Sequence, residues 1–142
     1  MLSNGPVRRR PVALVVEDNM LIAFSLVHDL NLIGVDVLGP AMDVKRANRL
    51  LDSDEEPSPD VAVLDFDLGK ETSKPIIDRL QASGVPCVLA TGQGRLAREF
   101  GVEVKYVLHK PFEPEMLMQA VQSLLDRRAA EANGNGRAPA GS

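Results

Sequence analysis

The sequence predicts an α/β domain in which five strands alternate with five helices, a (βα)5 pattern folded as a doubly wound parallel five-stranded sheet. Short apolar runs alternate along the chain with longer segments of helical periodicity, which is typical of successive βαβ units. The apolar runs are nearly continuous, as in strands that helices cover on both faces of a sheet. The chain has 142 residues, 44% of them hydrophobic, which is enough for one such domain and its core.

The strands are predicted from apolar runs bounded by turn residues. The predicted strands span 12–16, 35–39, 60–65, 85–90 and 104–108. Gly39-Pro40 is expected to end the second of them, since this dipeptide is a strong turn signal.

The helices are predicted from periodicity and from their end signals. They span 20–33, 43–51, 73–83, 95–100 and 114–128. In the first helix the apolar residues recur at spacings of four, four and three, and Gly34 is expected to end it. Asp43 is the predicted cap of the second helix, and Thr72 or Ser73 opens the third. The fourth is short and weak. The last has one apolar face, formed by Leu117, Ala120, Val121, Leu124 and Leu125.

Composition limits both the location and the partners of the chain. The net charge of −4 does not suggest a nucleic-acid binder, and Arg8-Arg9-Arg10 is predicted to belong to a flexible, solvated arm over 1–10. The domain is expected to span 11–128, followed by a disordered tail over 129–142 that lacks apolar periodicity. A single cysteine suits a reducing cytoplasm, and no apolar run is long enough for a membrane span or a signal peptide.

Chemically useful residues stand at the ends of four predicted strands. They are the pair Glu17-Asp18, then Asp65, Thr91 and Lys110. The carboxyl ends of parallel strands share one edge of the sheet, where ligands bind, so these residues should converge. Three carboxylates, one hydroxyl and one ammonium suit a divalent cation together with a phosphoryl group.

This combination predicts phosphoryl chemistry at Asp65. Asp18 and Asp65 can bind Mg²⁺ as carboxylates, and Glu17 can do so directly or through a water. The metal would keep Asp65 ionised as a nucleophile, because three acids without a cation raise each other's pKa. The ammonium of Lys110 and the hydroxyl of Thr91 are suited to stabilise the negative charge of the transferred group.

Four segments carry a resemblance to a known family: Val-Val-Glu17-Asp18-Asn, Val-Leu-Asp65-Phe-Asp-Leu-Gly, Ala-Thr91-Gly and His-Lys110-Pro-Phe. Together they resemble the receiver domain of two-component response regulators, over about residues 11–127. The resemblance implies a flavodoxin-like sheet of order 2-1-3-4-5. It also implies that the chain is a cytoplasmic signalling protein rather than an enzyme.

The resemblance also implies a role for each residue. Asp65 would be the phosphoacceptor, and Glu17 and Asp18 the acid pair that binds Mg²⁺. Thr91 would be the switch hydroxyl and Lys110 the lysine beside the phosphoryl group. The backbone carbonyl of Asp67 would complete the metal ligands.

The resemblance extends to partners. A sensor histidine kinase or a phosphotransfer protein would donate the phosphoryl group. No output domain follows, so a stand-alone regulator is expected, monomeric or weakly dimeric, that signals to an unknown downstream protein or acts as a phosphate sink.

The segment 85–94 is further similar to that of the alphaproteobacterial "FAT GUY" response regulators, with departures at Cys87, Leu89 and Gln93. In most receivers an aromatic residue lies three positions before the lysine, where this chain has Val107. Tyr106 is one position off and should point to the opposite face of the strand. The usual pairing of threonine and aromatic switch residues is therefore not expected here.

Two motifs in the sequence are similar to those of other functional classes. Gly92-Gln-Gly94 begins a match to the dinucleotide-binding fingerprint, but only one predicted strand follows it, too few for that fold. Asp65-Phe-Asp67 resembles the motif of haloacid-dehalogenase phosphatases, which belongs on the first strand instead of the third. A pseudo-receiver that binds partners without phosphoryl transfer also remains open.

Overall fold

The computed structural model describes residues 9–134, which form one parallel sheet with helices on both faces. The strands are β1 (Val12–Val16), β2 (Asp36–Ala41), β3 (Val61–Leu64), β4 (Cys87–Thr91) and β5 (Tyr106–His109). The helices are α1 (Met20–Leu32), α2 (Val44–Asp52), α3 (Lys74–Ala82), α4 (Gly94–Glu99) and α5 (Pro114–Gly134). The strand order β2-β1-β3-β4-β5 confirms the predicted fold class and topology. No helix within 9–134 is both long and apolar enough to cross a membrane.

The core consists of two layers that share the sheet. Alternate side chains of each strand point to opposite faces. Leu14 and Leu64 therefore belong to the cluster under α2, α3 and α4, whereas Val15 and Val63 belong to the cluster under α1 and α5. Because both faces are covered, β1, β3 and β4 are buried at every position, as their continuous apolar runs predicted.

The predicted end of the second strand was wrong. β2 continues through Gly39 and Pro40 to Ala41, which pairs with Val16. Gly39 has φ +101°, and a Cβ at this position would lie 2.8 Å from the backbone nitrogen of Ala41. The glycine therefore allows the strand to pass through an irregular register, between Leu14 and Val16 of β1, instead of ending it.

The predicted end of the last helix was also wrong, because α5 extends to Gly134 and residues 129–134 are helical. Arg128 lies within this helix and donates hydrogen bonds to the carbonyls of Asp60 and Gly84, which fixes the helix to the amino-terminal edge of the sheet. The remaining part of the predicted tail, 135–142, and residues 1–8 of the predicted arm lie outside the described residues. Arg9 and Arg10 form exposed ion pairs with Asp60 and Asp36.

Candidate functional site

The acidic residues meet where β1 and β3 end side by side. Val16 pairs with Leu64, and the N–H of Asp65 donates to the carbonyl of Val16 at 3.0 Å, so the residues that follow the two strands are neighbours. Carboxylate oxygens of Glu17, Asp18 and Asp65 lie within 4.8 Å of one another. Glu17 and Asp65 are buried and Asp18 is partly exposed. The structure brings these three acids together, as the sequence predicted.

Lys110 reaches the same place from the end of β5. Its Nζ lies 2.6 Å from Oε1 of Glu17 and 2.7 Å from Oδ2 of Asp65. Hydrogen bonds between charged groups at such distances are the strong ones. The lysine therefore joins an acid from β1 to an acid from β3 across the edge of the sheet.

Burial and these ion pairs shift the pKa values of Glu17 and Lys110 in opposite directions. Burial raises the pKa of Glu17, and the ion pair with Lys110 and the N–H of Asn19 offset only part of this effect. For Lys110, burial lowers the pKa, but the bonds to Asp65 and Glu17 outweigh it, and the pKa lies above its ordinary value. The ammonium is therefore held in its charged form beside Asp65.

Thr91 ends β4 and is fully buried. It pairs with His109 across the sheet, and its carbonyl accepts from the N–H of Lys110 at 3.2 Å, so threonine and lysine are neighbours at this edge. Its Oγ1 accepts from the N–H of Gln93 at 3.0 Å. This bond uses the oxygen as an acceptor and leaves the hydroxyl proton available for a ligand.

Sequence reasoning missed the role of Ser73. It precedes α3 as predicted, but its hydroxyl does not cap the helix. The fully buried Oγ instead donates to the carbonyl of Asp65 at 2.7 Å, and the N–H of Ser73 donates to the carbonyl of Phe66. The backbone of the candidate phosphoacceptor is thus fixed by a residue from the next helix, which local helix-start rules do not indicate.

The loop after β3 shapes the rest of the site. The N–H of Asp67 donates to Oδ1 of Asp65 at 3.2 Å, and the side chain of Asp67 accepts from Gly69. Gly69 has φ +90°, a backbone conformation that favours glycine, and a Cβ there would lie 3.4 Å from Oδ2 of Asp18, so the turn passes directly beside this carboxylate. The metal-binding role of the Asp67 carbonyl stays a prediction.

The donor set fits a divalent cation. Three carboxylates against the one ammonium of Lys110 leave two negative charges in a small, partly buried space. All the side-chain ligands are oxygens, which Mg²⁺ prefers. Lys110 occupies one oxygen each of Glu17 and Asp65, so other carboxylate oxygens remain for a metal.

Solved structures of receiver domains have the same fold. The signal receiver domain of an HD domain-containing protein from Pseudomonas fluorescens Pf-5 has a TM-score of 0.75 at 24% identity, over 93% of this chain and 98% of that one. A CheY-like receiver domain from Methanospirillum hungatei JF-1 has a TM-score of 0.73 at 18% identity, over 87% and 99%. The chain has the receiver-domain fold.

A third similar structure is the receiver domain of the response regulator PhyR from Erythrobacter litoralis, with a TM-score of 0.72 at 21% identity, over 82% of this chain and 91% of that one. Neither the protein-family models nor the curated proteins give a match. The resemblance to the "FAT GUY" subfamily stays a prediction.

The receiver-domain fold of this chain departs from the common pattern in β5, as predicted. Tyr106 lies on the α1/α5 face of the sheet, where its hydroxyl is 2.9 Å from Oγ of Ser123. Val107 points to the α4 face. No Phe, Tyr or Trp side chain of β5 therefore faces Thr91 and α4, and the β5 ring beside α4 is the imidazole of His109.

The glycines after Thr91 also have a structural explanation. Gly94 begins α4, and a Cβ there would lie 2.8 Å from Cε1 of His109 and 3.3 Å from Val107. The glycine thus lets α4 approach β5. Only β5 follows this turn among the described strands, which agrees with the prediction that the glycine motif does not belong to a dinucleotide-binding fold.

Proposed function

We propose that this chain is a response regulator receiver domain that accepts a phosphoryl group on Asp65. The observation that supports this most directly is the position of Lys110, whose Nζ lies within hydrogen-bond distance of both Glu17 and Asp65. An ion pair that only stabilises the fold needs one acid to match the lysine. A lysine shared by two buried acids, with a third beside them, is the arrangement expected where an anion is to be transferred.

The transfer uses groups of this chain and of the donor, together with Mg²⁺. An oxygen of Asp65 forms a bond to phosphorus as the phosphorus–nitrogen bond of a phosphohistidine breaks, and the electron pair stays on the imidazole nitrogen. The ammonium of Lys110 and the hydroxyl of Thr91 donate hydrogen bonds to the transferred oxygens. Mg²⁺, held by Asp18, Asp65 and directly or through water by Glu17, would supply neutralisation of the negative charge.

The donor, a sensor histidine kinase or a phosphotransfer protein, would dock on a groove beside the site, here called the α1 groove. The groove has a volume of about 520 Å³, and Lys110 lines it. Its apolar lining includes Leu21, Ile22, Leu26, Pro111, Phe112 and Pro114. Leu21 is 82% exposed and its neighbour Phe24 is 58% exposed. An apolar surface continuous with the phosphoacceptor site suits a protein donor better than a small molecule.

The response would be read by another protein. The proposed output surface is the face formed by the segment after Thr91, α4, β5 and α5, because Thr91 connects it to the site. We further propose that the chain acts as a stand-alone regulator, which either signals through this face or serves as a phosphate sink.

Phosphorylation by a small donor tests the proposal without a kinase. Incubation with acetyl phosphate and Mg²⁺ should add one phosphoryl group, detected by intact mass and lost on acid or hydroxylamine treatment. Asp65→Asn should remove the uptake and keep the fold. Asp67→Asn is the matched control, because its side chain only closes the loop through Gly69. Uptake by Asp65→Asn would contradict the proposal, and no uptake by the wild type would favour a pseudo-receiver that only binds partners.

A further inference from the structure

α4 is attached at both ends to residues that adjoin the candidate site. At its start, the N–H of Gln93 donates to Oγ1 of Thr91. At its end, the ring of Phe100 stands edge-on against the ring of Phe66, with centroids 5.6 Å apart and an interplanar angle of 61°. Phe66 directly follows Asp65. Two different routes therefore lead from the site to one short helix.

The second route, from Phe66 to Phe100, begins at residues that are tightly held. Phe66 is fully buried in the cluster under α2, α3 and α4. The carbonyls of Asp65 and Phe66 both accept hydrogen bonds from Ser73, which is also fully buried. Close-packed interiors transmit small displacements instead of absorbing them. A shift of the Asp65 backbone would therefore move the Phe66 ring.

The other end of this route is easily displaced. α4 has six residues, too few to be stable without tertiary contacts. Its buried residues are Gly94 and Ala97, which offer little apolar surface. Phe100 is the largest side chain at its carboxyl end and is 49% exposed. Leu96 packs partly buried against the core cluster on this face, and the contact between Phe66 and Phe100 adds a second attachment at the carboxyl end of α4.

The route through β5 meets α4 at its start, where a Cβ on Gly94 would lie 2.8 Å from the ring of His109 and 3.3 Å from Val107. Val107 faces α4 with an aliphatic side chain, and Tyr106 is tied to Ser123 of α5 on the opposite face. Within the described residues, Phe66–Phe100 is the aromatic pair that connects the segment after β3 to the end of α4. It joins the residue next to the phosphoacceptor to the residue that ends the helix.

We propose that Phe66 and Phe100 transmit phosphorylation of Asp65 to α4. The inference rests on the proposed function, since it requires a phosphoryl group at Asp65. Movement of Asp65 displaces the Phe66 ring, and the edge-to-face contact carries Phe100 and the end of α4 with it. Thr91 acts on the start of the helix and the aromatic pair on its end.

The test compares three variants after phosphorylation by acetyl phosphate with Mg²⁺. Phe100→Leu removes the ring and keeps an apolar side chain, whereas Phe100→Tyr keeps the ring. Leu32→Ala is the control, an exposed apolar residue at the end of α1 that lies outside the α1 groove and away from α4. Intact mass gives the extent of phosphorylation. Hydrogen exchange over 94–101, measured before and after, gives the response of the helix.

We expect Phe100→Leu to be phosphorylated like the wild type, while the phosphorylation-dependent change in protection over 94–101 falls about 2- to 10-fold, the range that loss of one edge-to-face contact allows. Phe100→Tyr and Leu32→Ala should respond like the wild type. A wild-type response in Phe100→Leu, or a lost response in Phe100→Tyr, overturns the inference and leaves the proposed function intact. Failure of the wild type to take up phosphate overturns both.

Discussion

The ammonium of Lys110 lies 2.7 Å from Oδ2 of Asp65 and also contacts Glu17, so one cation partly neutralises two buried acids. The lysine thus affects both phosphorylation and metal binding, and one substitution tests both effects. It positions positive charge where a phosphoryl group would arrive, and it competes with a metal for the same carboxylates.

Lys110→Ala should therefore slow phosphorylation of Asp65 and strengthen Mg²⁺ binding. Loss of one charged donor to the developing phosphoryl charge is expected to reduce the rate by about 10²-fold. Removal of the competing ammonium leaves the acid cluster more negative, which favours the divalent cation. Rates follow from intact mass after acetyl phosphate addition, and affinity from NMR shifts during a Mg²⁺ titration. Lys70→Ala, at an exposed lysine of the loop after β3, is the control. Weaker Mg²⁺ binding in Lys110→Ala would contradict this account.

The two residues of the acid pair should contribute unequally to metal binding. Glu17 is buried and paired with Lys110, whereas Asp18 is partly exposed beside the turn at Gly69. We expect Asp18→Asn to weaken Mg²⁺ binding more than Glu17→Gln, in a site that is weak because several waters remain on the ion. The same NMR titration compares both variants with the wild type. Equal affinities of Asp18→Asn and wild type would refute the assignment of Asp18 as a ligand.

The ionised side chain of Asp29 should lower the free energy of unfolding at neutral pH. It is buried on α1, and burial raises its pKa, while His28 lowers it and Glu115 raises it further. Because the folded-state pKa exceeds the unfolded one, the unfolded state loses its proton first as pH rises, and stability falls through that window. Asn cannot ionise. Asp29→Asn should therefore raise the free energy of unfolding at neutral pH.

The advantage of Asp29→Asn should shrink as the pH falls below the raised pKa, where the aspartate is protonated as well. Urea unfolding at about pH 3 and about pH 7 measures both limits. Asp54→Asn, at an exposed acid of the loop before β3, controls for the change in net charge. An advantage of equal size at both pH values would mean that packing differences, and not ionisation of Asp29, set the stability.

The proximity of the candidate site residues was predictable because they follow apolar runs that reveal strand ends. The positions of Glu17, Asp65 and Lys110 depend only on where a buried strand stops and on the topology of parallel sheets. Features that depend on tertiary contacts were not predictable in this way. The hydroxyl of Ser73 bonds to the carbonyl of Asp65 instead of capping its own helix, and no local pattern distinguishes these choices.

The ends of β2 and α5 show the same limit of prediction from local sequence. Gly39-Pro40 reads locally as a turn, yet pairing of Ala41 with Val16 extends β2 beyond it, because ladder bonds outweigh the local preference. In α5, absence of apolar periodicity suggested that the helix ends at residue 128. The alanine-rich residues that follow are good helix formers, and they continue the helix to Gly134. Intrinsic helix propensity was the signal that periodicity alone overlooked.

The segment after β4 should be the least stable part of the candidate output face. α4 contributes only Gly94 and Ala97 to the buried residues, and few buried contacts mean low local stability. We expect hydrogen exchange to find 92–101 poorly protected in the free protein, in contrast to the buried strand β4. Phosphorylation with Mg²⁺ should increase protection by drawing the Thr91 hydroxyl towards the phosphoryl group and ordering the residues that follow it. The control is Asp65→Asn under the same conditions, which should show no increase. If 92–101 is as protected as β4 before phosphorylation, the face is rigid in advance, and a change from disorder to order does not transmit the signal.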